Sequence, residues 1–312
     1  MILTVTLNAT VDIVCPVKSF IRNSVFRTPI IYSYPGGKGT NVARALSILG
    51  ERVIATGFCG EKNFKAMDEL LKKFKIKNEF ISIKGENRPC ILITEIKEKK
   101  ETIINSESTF TITETDKKKF LNKIENLAKK CKYTVISGSL PRSLPENFYA
   151  EVINKIKNFS SVLLDTSSAY LKNAIKSSPH IIKLNIEELK KTFNINFKTK
   201  TQLKNFMSAV SKKYNIKIII ITLNEKGAVL YDNKNFYFFK SIKTKELISP
   251  VGSGDAFSAG FIYGISKGMD LIFSTKLAIA CATANLMHTG SCFINKNDVF
   301  RLVKKVYFTQ KL

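Results

Sequence analysis

The run Lys217-Ile218-Ile219-Ile220-Ile221 sets the tightest limit on the fold. Consecutive β-branched residues favour a strand, and a strand without polar alternation has to be buried on both faces. Strands of that kind belong to parallel sheets sandwiched between helices. The rest of the chain supplies the helices. Apolar runs at Leu3–Leu7, Val53–Thr56, Tyr133–Ile136, Val162–Leu164, Ile181–Leu184 and Lys217–Thr222 alternate with helix-period stretches near 40–49, 61–73, 116–130, 146–157, 168–176 and 200–213. The alternation predicts an α/β fold with a doubly wound, mainly parallel sheet and helices on both faces.

Two regions break the rhythm. Residues 12–35 show no helical period, and residues 79–105 read as short strands at Glu79–Ile83, Ile91–Ile96 and Thr102–Asn105. With no helix to cover them, they are expected to pair into a small β-sheet lid. Its open face calls for a substrate or a second copy of the chain, so a homodimer through the lid sheet is the expected assembly. There is no internal repeat and no Pro- or Gly-rich linker, which predicts one domain over 1–312 with the lid inserted in it.

Composition removes several function classes. The formal net charge is +25, which raises nucleic acid as a partner, but only 7 of the 50 basic residues are Arg. Lysines spread over a solvated surface do not make a specific nucleic-acid reader. Cys15, Cys59, Cys90, Cys131, Cys281 and Cys292 include no C-x-x-C spacing and are expected as reduced thiols. His180 and His288 are the two histidines, too sparse for a zinc site or a Ser–His–Asp hydrolase. The start, Met1 to Leu7, alternates apolar residues with Thr and reads as a strand and not as a signal peptide. No apolar run is long enough for a membrane span, so a cytoplasmic chain without a membrane partner is expected.

Two glycine segments carry chemistry. Gly36-Gly37-Lys38-Gly39-Thr40-Asn41 precedes a helix whose apolar face is Val42, Ala45, Leu46 and Leu49. Glycines let the backbone approach a ligand, and free N–H groups at a helix start attract anions. It is no Walker A loop, because Gly39 follows the lysine where Ser or Thr is needed. An ordinary glycine turn would look the same. Val251-Gly252-Ser253-Gly254-Asp255-Ala256 is more pointed: an expected strand at Thr244–Ile248 leads into it, and a helix bearing Phe257, Phe261 and Ile265 leads out. Three or four free backbone N–H groups at that helix start would form an anion hole, with the Asp255 carboxylate beside whatever they bind. A donor phosphate held next to a base is what phosphoryl transfer requires. A helix-capping Asp is the bland alternative.

These segments, in this order and spacing, resemble the two signatures of the ribokinase-like (PfkB) carbohydrate kinases, phosphosugar branch. The likeness extends through Thr4-Val5-Thr6-Leu7-Asn8 with Asp12, Arg27, Arg88, Ser137-Gly138-Ser139-Leu140-Pro141, Asp165-Thr166-Ser167 and Asn185-Ile186-Glu187-Glu188. The resemblance implies a doubly wound α/β domain with a β lid, and ATP-dependent phosphorylation of a ketohexose monophosphate to a bisphosphate. It implies Asp255 as the base and Gly252, Ser253 and Gly254 as the anion hole. Asp12, Gly37, Lys38, Asn41 and the Ser137-Gly138 segment would hold the sugar, with Arg27 and Arg88 at its existing phosphate. Lys183 and Asn185 would face the nucleotide phosphates, Thr222, Gly227 and Asn285 the adenosine, and Glu188 would organise Mg²⁺ through water.

Within the branch, Pro250–Asp255 and Ser137–Pro141 look most like the tagatose-6-phosphate kinases, then the 1-phosphofructokinases. Kinases of unphosphorylated sugars come third. The sequence departs from the family at Ala9 and Leu184, where Pro is usual, at Ser168 and Asn224, where Gly is usual, and at Phe26 in place of Asn. The non-enzymatic alternative is a silent sugar-phosphate sensor or polyanion binder. A silent relative would be expected to have lost Asp255 or Glu188, and both are present.

Overall fold

The computed structural model describes residues 1–28, 31–98, 100–244 and 247–311, and for 309–311 the backbone alone. The N-terminal part runs β1 (Ile2–Thr6), β2 (Thr10–Val17), β3 (Tyr32–Gly36), α1 (Lys38–Leu49), β4 (Val53–Gly60), α2 (Glu61–Lys73), β5 (Lys77–Asn78), β6 (Ile81–Ile83), β7 (Arg88–Glu95) and β8 (Lys100–Asn105). The middle continues with α3 (Glu114–Ala128), β9 (Tyr133–Ser137), α4 (Phe148–Ile156), β10 (Ser161–Asp165), α5 (Ser168–Ala174), β11 (Ile181–Asn185), α6 (Ile186–Phe193) and α7 (Lys200–Tyr214). It closes with β12 (Ile218–Thr222), β13 (Ala228–Tyr231), β14 (Phe236–Phe239), α8 (Ser253–Ser266), α9 (Leu271–Leu286), α10 (Lys296–Val303) and β15 (Phe308–Lys311).

The large sheet has the order β15-β14-β13-β12-β11-β10-β9-β1-β4-β5, with β6 also paired to β4. From β4 to β12 the pairs are parallel, as the apolar runs require. The isoleucine run behaves as its composition dictates. Ile220 enters the core on one face, with α1, α2, α8, α9 and α10. Ile219 and Ile221 enter the other, with α3 to α7. Burying one such side chain contributes ~1.5–3 kcal/mol, so two filled faces fix this strand's place in the sheet.

The hairpin β13–β14 and β15 extend the sheet antiparallel at one edge, which the strand–helix rhythm did not signal. The strand expected at Thr244–Ile248 is a correction: residues 245 and 246 lie outside the described set, and Thr244, Leu247 and Ile248 are not in a strand. The Ile248 and Ser249 N–H groups bond instead to the Leu286 carbonyl of α9.

The second sheet has the order β3-β2-β7-β8 and takes its strands from the two segments expected to form the lid, although residues 18–28 between β2 and β3 are in no strand and residues 29 and 30 lie outside the described set. Residues 79–83 do not join it. Ile81–Ile83 pairs with Phe58–Gly60 of the main sheet, because Ile81 and Ile83 have a core to fill there. Among the described residues no helix is long and apolar enough to cross a membrane, and all six cysteines are free thiols.

Candidate active site

The site lies at the carboxyl ends of the parallel strands, where loops leave the sheet. In register, Asp165 ends β10 beside Ser137 of β9, and Asn185 ends β11 beside Thr222 of β12. A cavity of about 330 Å³ opens there, with Asn8, Gly37, Lys38, Arg88, Ser137, Gly138 and Glu188 on its wall. Segments distant in sequence thus meet at one opening. Asp12 and Asn41 are buried, as is Asp255.

Helix α1 starts hard against β1. A Cβ on Gly39 would meet the Val5 carbonyl oxygen at 2.4 Å, so no larger residue lets the helix approach this far. Lys38, its first residue, sends Nζ to within 3.5 Å of Asp165 Oδ1 and 3.3 Å of Glu188 Oε1. Asp165 above all, with Asp255 and Glu188, holds the Lys38 ammonium above the ordinary lysine range against the pull of burial. Its charge is therefore met by carboxylates of the chain itself.

Asp165 is fully buried, and Oδ2 accepts from Lys183 Nζ at 2.8 Å and Ser258 Oγ at 3.0 Å. Burial pushes this carboxyl up, but Lys183 and Lys38 outweigh it and hold it below the usual range. Lys183, expected at the nucleotide phosphates, is only 4% exposed and also donates to the Gly254 carbonyl at 3.0 Å. It braces the first turn of α8 from inside.

That turn is tightly fitted. Gly252 has φ of 80°, and a Cβ there would lie 2.3 Å from the Cys292 nitrogen. The Ser253 N–H bonds to the Pro250 carbonyl at 3.2 Å, so it is not free for an anion as expected. The N–H groups of Gly252, Gly254 and Asp255 have no partner among the described residues, and they lie at the positive end of the α8 dipole. Asp255 Oδ2 accepts from Asn41 Nδ2 at 2.8 Å. Burial, reinforced by Asp165, pushes the Asp255 carboxyl up to about 6, with Lys38, the Asn41 bond and Lys183 opposing. Such a group is ionised at neutral pH yet still basic enough to take a proton.

Glu188 and Asn185 form a reciprocal cap at the start of α6. The Asn185 N–H donates to Glu188 Oε2 at 2.9 Å, and the Glu188 N–H donates to Asn185 Oδ1 at 2.8 Å. This commits the Asn185 oxygen to the helix, not to a nucleotide, and leaves Glu188 Oε1 on the cavity side with Lys38. Asp12 Oδ1 accepts from Thr10 Oγ1 at 2.6 Å, and burial raises its carboxyl despite Thr10, Arg44 and Arg88. Arg88 enters from the lid. Its Nη1 donates to Asn105 Oδ1 at 3.3 Å, and its Nε is buried without a partner.

Arg27 does not reach this site. It is exposed and lines a separate concavity of about 510 Å³ on the lid, with Lys18, Phe26 and Ile96. Of the three adenosine candidates, Thr222 ends β12 and Gly227 turns the chain into β13. Asn285 is wholly buried and donates to the Val251 carbonyl at 2.9 Å, so it ties α9 to the loop before Gly252. Ser168 and Asn224, expected as departures from Gly, have left-handed backbones with φ of 58° and 51°. That region favours Gly, and Asn tolerates it better than Ser.

Two residues escaped the sequence reading. Glu101, on lid strand β8, accepts from Ser249 Oγ at 2.7 Å and so ties the lid to the loop before Gly252. Arg44 is fully buried and donates through Nη2 to Asn41 Oδ1 at 2.9 Å. Its signal was its place three residues after Asn41, a cation among the apolar residues of α1.

Residues 3–298 match the model of the pfkB family carbohydrate kinases. The chain belongs to this family. It is accordingly a phosphotransferase with an alcohol acceptor, and ATP is the phosphoryl donor that the family implies. The kinase is 35% identical, over 98% of both chains, to a tagatose-6-phosphate kinase of Staphylococcus epidermidis. It is 34% identical, over 94% of both, to a 1-phosphofructokinase of Borreliella burgdorferi. Two solved structures share the fold: a possible 1-phosphofructokinase of Thermotoga maritima (24% identity, TM-score 0.89, 100% and 99% coverage) and phosphofructokinase-2 of Escherichia coli (19%, 0.88, 97% and 98%).

Proposed function

We propose that this kinase transfers the terminal phosphoryl group of ATP to a hydroxyl of a ketohexose monophosphate, with tagatose 6-phosphate as the first substrate and fructose 1-phosphate as the second. The observation that carries the reading is the Asp255 carboxylate, buried at the open N-terminus of α8 and held by Asn41. The ionised carboxylate takes the proton from the acceptor hydroxyl. The free N–H groups of Gly252 and Gly254 and the helix dipole receive charge on the transferring group, and Lys38 adds a positive charge beside it. Arg88 and Lys38 share the cavity wall, which suits an acceptor that already bears a phosphate. Thr222 and Gly227 would border the adenosine.

Mg²⁺ would be held chiefly by water and nucleotide phosphates, with Glu188 as the protein's carboxylate beside it, and it would neutralise phosphate charge. The fit is consistent with the donor set. Among the described residues no three His, Cys, Asp or Glu side chains gather into a cage, while Glu188 presents Oε1 at the cavity. Pairing of two copies through the lid belongs to the same reading, supported by the open face of that sheet, where exposed Ile104 is in register with half-buried Ile91 and Ile13. A cytoplasmic location is part of the proposal as well.

The test is coupled ADP release over tagatose 6-phosphate, fructose 1-phosphate, fructose 6-phosphate, fructose and ribose. The reading expects kcat/KM at least about tenfold higher for a phosphorylated ketohexose than for either free sugar. Preference for a free sugar refutes it.

A further inference from the structure

Arg44 is a guanidinium with no exposure and no ion-pair partner among the described residues. Its Nη1 donates to the Pro35 carbonyl of β3 at 3.1 Å, and its Nη2 donates to Asn41 Oδ1 and to the Ser291 carbonyl. The rings of Phe293, Tyr34 and Phe74 surround it, with centroids 4.5, 5.5 and 5.7 Å from Cζ. Asp12 and Asp255 attract it from a distance, but no carboxylate bonds it directly; burying a cation so is costly, and packing alone would be served better by an apolar side chain.

The chemistry of the contact explains what the charge does. A carboxamide can present its oxygen or its nitrogen to a neighbour, and the two orientations have nearly the same shape. Guanidinium has donors only. Facing Arg44, Asn41 must offer its oxygen, and its Nδ2 is then turned to Asp255 Oδ2 at 2.8 Å and Ser291 Oγ at 2.9 Å. Reversed, the amide would set its oxygen against the carboxylate oxygen of Asp255. We propose that Arg44 is a positioning residue for phosphoryl transfer: it locks the Asn41 amide so that its nitrogen orients the Asp255 carboxylate, and it ties that lock to the lid through Tyr34 and Pro35. The proposal rests on the reading of Asp255 as the base.

A double-mutant cycle tests it. With ATP and whichever of tagatose 6-phosphate and fructose 1-phosphate turns over, kcat is measured for wild type, Arg44→Lys, Arg44→Gln, Asn41→Ala and the two combinations, with Asp255→Asn alongside. Each Arg44 variant is expected to lose about 10–10²-fold in kcat, with KM for ATP within about twofold. In the Asn41→Ala background the same changes should cost less than about twofold more, because the lock is already gone. Losses that multiply in full would make Arg44 a structural residue and overturn the proposal. Asp255→Asn reports on the base separately: if it keeps wild-type turnover, that reading fails whatever Arg44 does. Should the Arg44 variants not fold, nitrogen-15 spectra of wild type and Asn41→Ala read the contact with Arg44 in place. Its slowly exchanging guanidinium protons should shift, and unchanged resonances would overturn the proposal.

Discussion

Asn41 Nδ2 and Asp255 Oδ2 meet at 2.8 Å across 214 positions of sequence, which joins the two glycine segments into one site. The contact holds the carboxylate in its acceptor form. Burial works the other way and pushes the carboxyl up to about 6.

The rate should therefore show an acid limb near pH 6, falling as pH falls because a proton then occupies the base. Stability carries the opposite sign. The folded pKa lies above the ordinary 3.8, so the stabilisation from the bound proton is present at low pH and is lost as pH rises through about 6. Lys38 and Lys183 moderate the shift, and Asp165 adds to it. A limb near pH 4, from kcat/KM profiles, would mean that burial does not govern Asp255.

Arg88 offers a planar pair of donors on the cavity wall, with one buried nitrogen still unpartnered. Arg88→Ala should raise KM for the sugar phosphate at least about tenfold, as for loss of a charge-assisted bond worth ~1.5–3 kcal/mol, and move KM for ATP far less. Equal effects on phosphorylated and free acceptors would assign Arg88 to lid folding, through its bonds to Asn105 and Ser106.

Glu188→Gln keeps an oxygen for the Asn185 N–H, so α6 stays capped while the charge beside Lys38 is lost. The Mg²⁺ concentration for half-maximal rate should rise several-fold, with sugar-phosphate affinity within about twofold. An unchanged Mg²⁺ titration would leave Glu188 as a helix cap only.

Glu101 reaches from the lid to Ser249, just before the anion loop, and also accepts from Thr94 at 3.3 Å. Glu101→Ala should lower kcat/KM by roughly threefold to thirtyfold through a looser lid and loop, with faster proteolysis of the lid at native temperature. Wild-type kinetics would show that the bond carries no closure.

The main sheet was legible because a strand buried on both faces leaves an unbroken apolar run, as at Ile218–Ile221. The lid was legible by elimination, since nothing in 12–35 or 88–105 offers a covering helix. Residues 79–83 were misassigned for the same reason: Ile81 and Ile83 alternate like lid residues, yet both are buried against β4. At the site, Lys38 and Glu188, which the residue types had singled out, meet on the cavity wall, and Asn41 bonds to Asp255. Residue types could not tell which groups face the cavity. Lys183 is bonded to Asp165, the Asn185 oxygen caps α6, and Arg27 lines a separate concavity; the first and last of these depend on contacts between distant segments. Arg44 and Glu101 belong to no glycine signature and act only through tertiary neighbours.

The most direct measurement is turnover of Asp255→Asn on ATP and the preferred sugar phosphate, with thermal melting at pH 7 to show an intact fold. A base requires a fall of roughly 10²–10⁴-fold in kcat, little change in sugar-phosphate affinity, and a melting temperature no lower than wild type. A variant that keeps more than about a tenth of wild-type turnover would reduce Asp255 to a helix-end residue and contradict the assignment.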